Sequence, residues 1–314
     1  MKQVKLLYPF KNSSYQTFLQ DMADSMIEAG VKYIKPKDIP WSIRHFVAKM
    51  RICRNFKCLT RKTSVIVLAG GYPDSFAFPF CYTNEIIPIL WDTWPKYWNS
   101  IVSSFKRNNI KLAFFTQKQV AEYVNSQLPE VQCYHLPEGI ASKKYIKESA
   151  DLINRKIDLL ELGRVFAKFH NSLELTGYNH LYQKGNDLLF PTFDELIDAL
   201  RDSKLTVCFP RNMTHPFQAG FVETLTQRYW ECMLTKTLIV GHAPQELIDL
   251  IGYNPVVEID LSKDVNKQII TLLNHIETYQ SLVDKNFDVA LQRSDWKFRA
   301  PFVIERIKEH GLCL

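Results

Sequence analysis

Six short apolar runs, each followed by enough chain for a helix, limit this sequence to few folds. They are SVIVLA (64–69), EIIPILW (85–91), KLAFF (111–115), IDLLEL (157–162), LTVCF (205–209) and TLIV (237–240). A short run that is apolar throughout fits a strand buried on both faces, which is the habit of parallel sheets covered by helices. The chain begins in the same way. Val4–Pro9 predicts a strand, Phe10–Ser14 a polar loop and Tyr15–Ala29 a helix with Phe18, Met22, Met26 and Ala29 on one face. Gly30 stands in C-cap position, and Val31–Ile34 predicts the next strand. Strand, loop, helix and strand in that order open a parallel α/β sheet, whose ligand crevice lies at the carboxyl ends of its strands.

Further elements follow the same signals. A helix is expected over 117–127, a strand over 131–136, a short strand over 188–190 and a helix over 193–201. One long helix is expected over 265–283, with Ile269, Leu272, Leu273 and Ile276 apolar, and a helical tail over 296–310. The length of 314 residues suits two domains. The polar stretch SKKYIKESADLINRK after 140 reads as their boundary.

Composition narrows the class. With 46% apolar and 23% charged residues, the chain reads as soluble and globular. No apolar run reaches about 18 residues, so no membrane span is expected. MKQVKLLYPF reads as a first strand rather than a signal peptide, and seven scattered cysteines are expected to be reduced thiols in a cytoplasmic protein. Cys53 and Cys58 have no second pair, so no metal site is expected from them.

The net charge of +6 permits anionic partners. Between Trp41 and Ser64 stand Arg44, Lys49, Arg51, Arg54, Lys57, Arg61 and Lys62 without an acid, interleaved with Trp41, Phe46, Met50 and Phe56. This segment reads equally as a solvated helix with a buried apolar stripe or as a patch for the anionic inner face of a membrane. No nucleic-acid motif accompanies the charge, and no nucleic-acid partner is expected.

The stretch from Phe209 to Glu258 carries a pair of acids, Glu223 and Glu231, with seven residues between them. If Thr224–Thr235 is one helix, Glu231 is near its middle and Thr224 or Thr226 can cap its start. A helix start attracts phosphate, and a carboxylate a turn or two further in can accept sugar hydroxyls. The pair alone is a weak signal. It is followed by the strand 237–240 and by Glu246 in the next loop.

In this order and spacing the stretch resembles the C-terminal domain of glycosyltransferases of the two-Rossmann-domain (GT-B) architecture, of the group with Glu, seven residues, Glu. The sequence departs from that group at Thr235-Lys236-Thr237, where a small-Gly-Lys-Pro turn is common, and it lacks the usual Gly-rich first loop. The resemblance extends to Gly163-Arg164 after IDLLEL, with Lys168 one residue closer than usual, and to Pro137-Glu138-Gly139-Ile140. It also takes in Asp92 before a Trp-Pro turn, with Trp91 where a His is common.

The resemblance implies an α/β fold of two Rossmann-like domains facing across a cleft. The acceptor domain is expected over 1–150 and the nucleotide-sugar domain over 151–295, with a C-terminal helix over 296–314 returning to the first domain. It implies transfer of a sugar from a nucleoside-diphosphate sugar to a glycan or lipid-linked acceptor, of the retaining kind, with no metal and no cofactor. Glu231 would hold the ribose and Glu223 the transferred sugar. Arg164 and Lys168 would meet the diphosphate. Arg211 and Arg228, with Thr224 and Thr226, complete the donor set, Arg228 reading equally as an ion-pair partner of an acid.

On the acceptor side stand Lys11, Asn12 and Gly71, the last reading equally as a simple turn. Asp92 is a general base if the enzyme inverts, or a turn aspartate. A nucleotide-sugar-binding protein without transfer activity and a nucleotide-sugar epimerase remain alternatives.

Overall fold

The computed structural model describes residues 2–9, 17–56, 63–163, 165–184 and 188–313. The strands are β1 (Lys2–Leu7), β2 (Tyr33–Ile34), β3 (Thr63–Gly70), β4 (Glu85–Trp91), β5 (Leu112–Phe115), β6 (Gln132–His135), β7 (Ile157–Glu161), β8 (His180–Tyr182), β9 (Ser203–Cys208), β10 (Leu238–Gly241), β11 (Val257–Glu258) and β12 (Leu312–Cys313). The helices of the first half are α1 (Phe18–Glu28), α2 (Trp41–Lys49), α3 (Asp74–Ala77), α4 (Trp98–Asn108), α5 (Lys118–Gln127), α6 (Ala167–His170) and α7 (Phe193–Arg201). Those of the second half are α8 (Arg211–Thr214), α9 (Pro216–Ala219), α10 (Gln227–Leu234), α11 (Gln245–Ile251), α12 (Val265–Asn274), α13 (Gln280–Arg293) and α14 (Ala300–Glu309).

The chain forms two compact units. The first comprises Met1–Glu138, His215–Thr224 and Trp296–Leu314, and the second Gly139–Thr214 and Leu225–Asp295.

In the first unit a parallel sheet runs β12-β1-β3-β4-β5-β6, with β2 beside β1. Ser64 pairs with Glu85 and the register continues to Gly70 and Trp91. Side chains alternate between two cores. Val65, Val67 and Ala69 meet Trp98, Ile101 and Phe105 of α4 and Val120 and Val124 of α5. Ile66 and Leu68 meet Leu19, Met22 and Met26 of α1 and Val303 and Ile307 of α14. Each such fully buried side chain contributes roughly 1.5–3 kcal/mol, so two-sided burial accounts for the apolar runs. Trp91 points into the α1 side of this core, edge-on to Trp296 with centroids 5.7 Å apart, and is 3% exposed.

Ala219 and Val222 are in the first unit's core, and Phe221 packs edge-on against Trp98. The Gln119 side-chain amide donates to the carbonyl of Glu223 over 3.1 Å.

In the second unit the parallel order is β11-β10-β9-β7-β8. Leu159, Leu205, Leu238 and Val240 of the sheet pack with Val265, Ile269 and Leu273 of α12. On α10, Tyr229, Trp230, Met233 and Leu234 are buried.

Three elements differ from expectation. Residues 188–190 form no strand; the edge strand is His180–Tyr182, paired with β7. The helix expected over 265–283 is broken at Asn274 and His275, two weak helix formers, and resumes as α13 after a 3-10 turn over Ile276–Tyr279. The helix expected from Thr224 starts at Gln227, because Thr226 is extended and the Leu225 amide donates to Glu246 Oε2 over 3.0 Å instead.

Gly241 closes β10 opposite Cys208 of β9. Its φ is +138°, and a Cβ there would overlap the carbonyl oxygen of Cys208. Gly241→Ala should therefore cost roughly 2–4 kcal/mol through backbone strain and overpacking. A urea titration followed by a second-unit tryptophan such as Trp230 would read this as an earlier midpoint; an unchanged midpoint would contradict the close approach.

Candidate functional site

The carboxyl edge of the second unit's sheet gathers polar groups that the strands themselves exclude. Parallel strands deliver their following loops to one edge. There β7 ends at Glu161, β9 leads through Phe209 and Pro210 to Arg211, β10 leads to His242, and β11 ends at Glu258. A helix that feeds a parallel strand begins at that same edge. Accordingly, Tyr229 in the first turn of α10 donates to the carbonyl of His242 over 2.7 Å.

Glu231 is one turn into α10 and 7% exposed. Its Oε1 accepts from the Tyr145 hydroxyl at 3.1 Å. Its Oε2 lies 2.8 Å from Arg228 Nη1, an ion-pair distance without the alignment of a hydrogen bond. Burial, the largest single effect, works against the Arg228 charge, but the Glu231 carboxylate together with Cys232, Cys208 and Tyr145 outweighs it and holds the guanidinium above its ordinary value. A carboxylate has about four acceptor directions. Oε2 is thus a buried oxygen that accepts no aligned hydrogen bond among the described residues. Thr226 is the N-cap residue of α10 and makes no side-chain cap bond, so no side chain of its own caps this helix start.

Neighbouring carboxylates on the edge have firmer partners. Glu258 binds His242 Nδ1 at 2.7 Å, the Ala243 amide at 3.0 Å and Asn254 Nδ2 at 2.9 Å. Glu161 Oε1 lies 2.7 Å from His170 Nδ1 and 2.8 Å from His180 Nε2. Ligand atoms of these three residues fall within 4.8 Å of one another, an arrangement that could hold a divalent cation.

The predicted donor residues separate as follows. Thr226, Arg228 and Glu231 are brought together on α10, and Arg211 opens α8 in the same unit. Lys168 is on α6, exposed, with no carboxylate partner among the described residues. Arg164 lies outside the described residues. Glu223 and Thr224 belong to the first unit, half-buried and buried respectively.

Of the residues expected on the acceptor side, Gly71 and Asp92 follow β3 and β4 at the carboxyl edge of the first unit's sheet, where the Gly71 amide donates to the carbonyl of Trp91 over 2.7 Å. Gly71 has φ +82° and Asp92 has φ +51°, so the backbone turns sharply at both positions. Asp92 is exposed, and the next residue is fixed by bonds from the Thr93 amide and hydroxyl to Gln117. Lys11 and Asn12 lie outside the described residues.

The sequence reading missed Tyr145, which is 4% exposed and edge-on to Phe193. Its place in a lysine-rich stretch hid it. Also missed were Glu161, His170, His180, His242 and Glu258. The signal available for Glu161 was an acid near the end of the run IDLLEL.

No protein-family model and no curated protein sequence matches this chain. Solved structures do. The chain is similar to HepE from Anabaena, crystallised with UDP and glucose, with 10% identity, 98% of this chain and 100% of that chain covered, and a TM-score of 0.60. It is similar to sucrose-phosphate synthase from Thermosynechococcus elongatus, with 10% identity, 99% of each chain covered and a TM-score of 0.60. It is also similar to AviGT4, a glycosyltransferase involved in avilamycin A biosynthesis, with 12% identity, 98% and 97% covered and a TM-score of 0.53.

Arg228→Met would leave the buried Glu231 carboxylate with one neutral side-chain partner, Tyr145, among the described residues. Because 29% of the Arg228 side chain is in solvent, the expected loss is about 2 kcal/mol, below that of a fully buried pair. Chemical denaturation should show it, and should show much of it recovered in Arg228→Met/Glu231→Leu. A single variant as stable as the parent would mean that the pair is not held as described.

Proposed function

The chain has the GT-B fold of these glycosyltransferases, and we propose that it transfers a sugar from a nucleoside-diphosphate sugar to a glycan or lipid-linked acceptor, with retention and without a metal ion. One observation carries the reading. Glu231 presents a buried, incompletely hydrogen-bonded carboxylate oxygen on the first turns of α10, at the edge where such sheets take ligands. A ribose hydroxyl is a donor suited to that oxygen, and Tyr145 and Arg228 hold the carboxylate in place for it. HepE has been crystallised with UDP-glucose, which supports a uridine or related nucleotide as the donor's carrier here.

The chemistry then follows from charge. As the bond between the anomeric carbon and the β-phosphate oxygen breaks, negative charge develops on the diphosphate. Arg164, Lys168 and Arg211, with the amides of the α10 start near Thr226, neutralise it. Arg grips phosphate bidentately and Lys as a point charge. Glu223, with Thr224, meets the transferred sugar. Asp92, Gly71, Lys11 and Asn12 serve the acceptor, whose hydroxyl oxygen forms the new bond to the anomeric carbon while its proton passes to the departing diphosphate oxygen.

Two variants test this. Arg164→Ala should lower kcat for nucleoside-diphosphate release by roughly 10²–10³, the usual effect of losing one stabilising group of this kind. Glu231→Ala should weaken donor binding by roughly tenfold or more, and Glu231→Gln keeps the shape should the alanine variant unfold. Parent-like kinetics in both would mean the site is elsewhere. Saturable donor binding with no sugar released or transferred would identify a binding protein, and release of an epimerised sugar an epimerase.

A further inference from the structure

The segment 41–56 inverts the usual arrangement of an amphipathic surface helix. Its cation Arg44 is interior, 1% exposed, and donates to the carbonyls of Lys37, Ile39, Ser75 and Phe78. Desolvation lowers its pKa from the ordinary guanidinium value. Its large apolar side chains are outside instead. Trp41 is 53% exposed, Phe46 58%, Met50 57% and Ile52 49%, and Ile43 and Phe56 are exposed as well. On α2 the buried residues are Arg44, Val47 and Ala48, so the expected buried apolar stripe is mostly a solvent-facing one. Scattered exposed apolar residues need no explanation, but six large ones within 16 residues form a patch that does.

Cations border this patch. Lys49, Arg51, Arg54 and Lys106 have no carboxylate partner among the described residues, whereas Arg107 is tied to Asp74 at 2.6 Å. Arg51, Arg54, Phe56 and Lys106 line a groove of about 1210 Å³. Asn55 Nδ2 donates to the carbonyls of Cys81 and Asn84, and Asn84 Nδ2 to that of Thr63. The groove therefore lies at the amino-terminal edge of the first unit's sheet, the edge opposite Gly71 and Asp92.

The occupant must accept apolar side chains from a convex helix and meet unpaired cations in the same footprint. A bilayer with anionic headgroups does both. Trp and Phe settle at the headgroup–acyl boundary, while Lys and Arg meet lipid phosphates. A folded protein partner would need a matching apolar pocket ringed with acids. We infer that 41–56, with Lys106, docks the first unit on an anionic bilayer, with Trp41, Phe46 and Met50 inserted. The inference does not rest on sugar transfer, since binding is measured without donor.

Sedimentation of the full chain with vesicles tests it. Vesicles of phosphatidylcholine with phosphatidylglycerol should pellet the protein at low salt, pure phosphatidylcholine should pellet far less, and high salt should release it. Phe46→Ser/Met50→Ser and Arg51→Glu/Arg54→Glu should each weaken binding roughly tenfold or more. Neither pair should lower the melting temperature, because all four side chains are exposed. The charge pair keeps the test decisive if the serine pair fails to fold. Equal binding to both vesicle types, no binding, or binding indifferent to both pairs would overturn the inference. So would concentration-dependent self-association abolished by the serine pair, which would make a second copy the occupant.

Discussion

Burial of both faces of each parallel sheet governs the rest of the structure. With helices on either side, a strand has no polar face to offer, and side chains such as Val65 and Ile66 go to opposite cores of the same layer. Polar and ionisable groups that serve a ligand are left to the loops and helix starts at the carboxyl edges. Gly71 and Asp92 occupy that edge in one unit, and Glu161, His242, Glu258 and the start of α10 occupy it in the other. At Gly241, where φ is +138°, a side chain would run into the Cys208 carbonyl of the neighbouring strand.

The edge of the second unit is also a preorganised electrostatic surface. Glu258 and Glu161 are each held by at least two donors, and Glu231 by Tyr145 and Arg228. Fixed partners of this kind cost no reorganisation when a ligand arrives, which is where much of an enzyme's stabilisation of developing charge originates. Glu231 differs from the others in retaining a buried oxygen without an aligned bond among the described residues, the feature on which the proposed donor site rests.

Two-sided burial also decides what could be read from sequence. It erases alternation and leaves runs such as SVIVLA and EIIPILW, so the main strands and the parallel α/β plan were legible. The edge strand His180–Tyr182 has only half-buried, mostly polar or aromatic positions and gave no such signal. The inward turn of Arg44 was hidden because the carbonyls that receive it come from separate segments. Tyr145 lay in a stretch that reads as linker. His170 and His180 reach Glu161 only because β7, α6 and β8 fold together. The spacing from Glu223 singled out Glu231, but it could not disclose that Glu223 belongs with the first unit.

The central claim is that the α10 edge holds a nucleoside diphosphate. Thermal melting of the full chain against a series of nucleoside diphosphates, monophosphates and free sugars tests it most directly. The account predicts a saturable rise in melting temperature with at least one nucleoside diphosphate, equivalent to about 2.7 kcal/mol at a hundred times its Kd. The matching monophosphate should give a smaller rise, and Glu231→Gln should reduce the effect. Melting temperatures unmoved by every nucleoside diphosphate, or moved equally in Glu231→Gln, would contradict it.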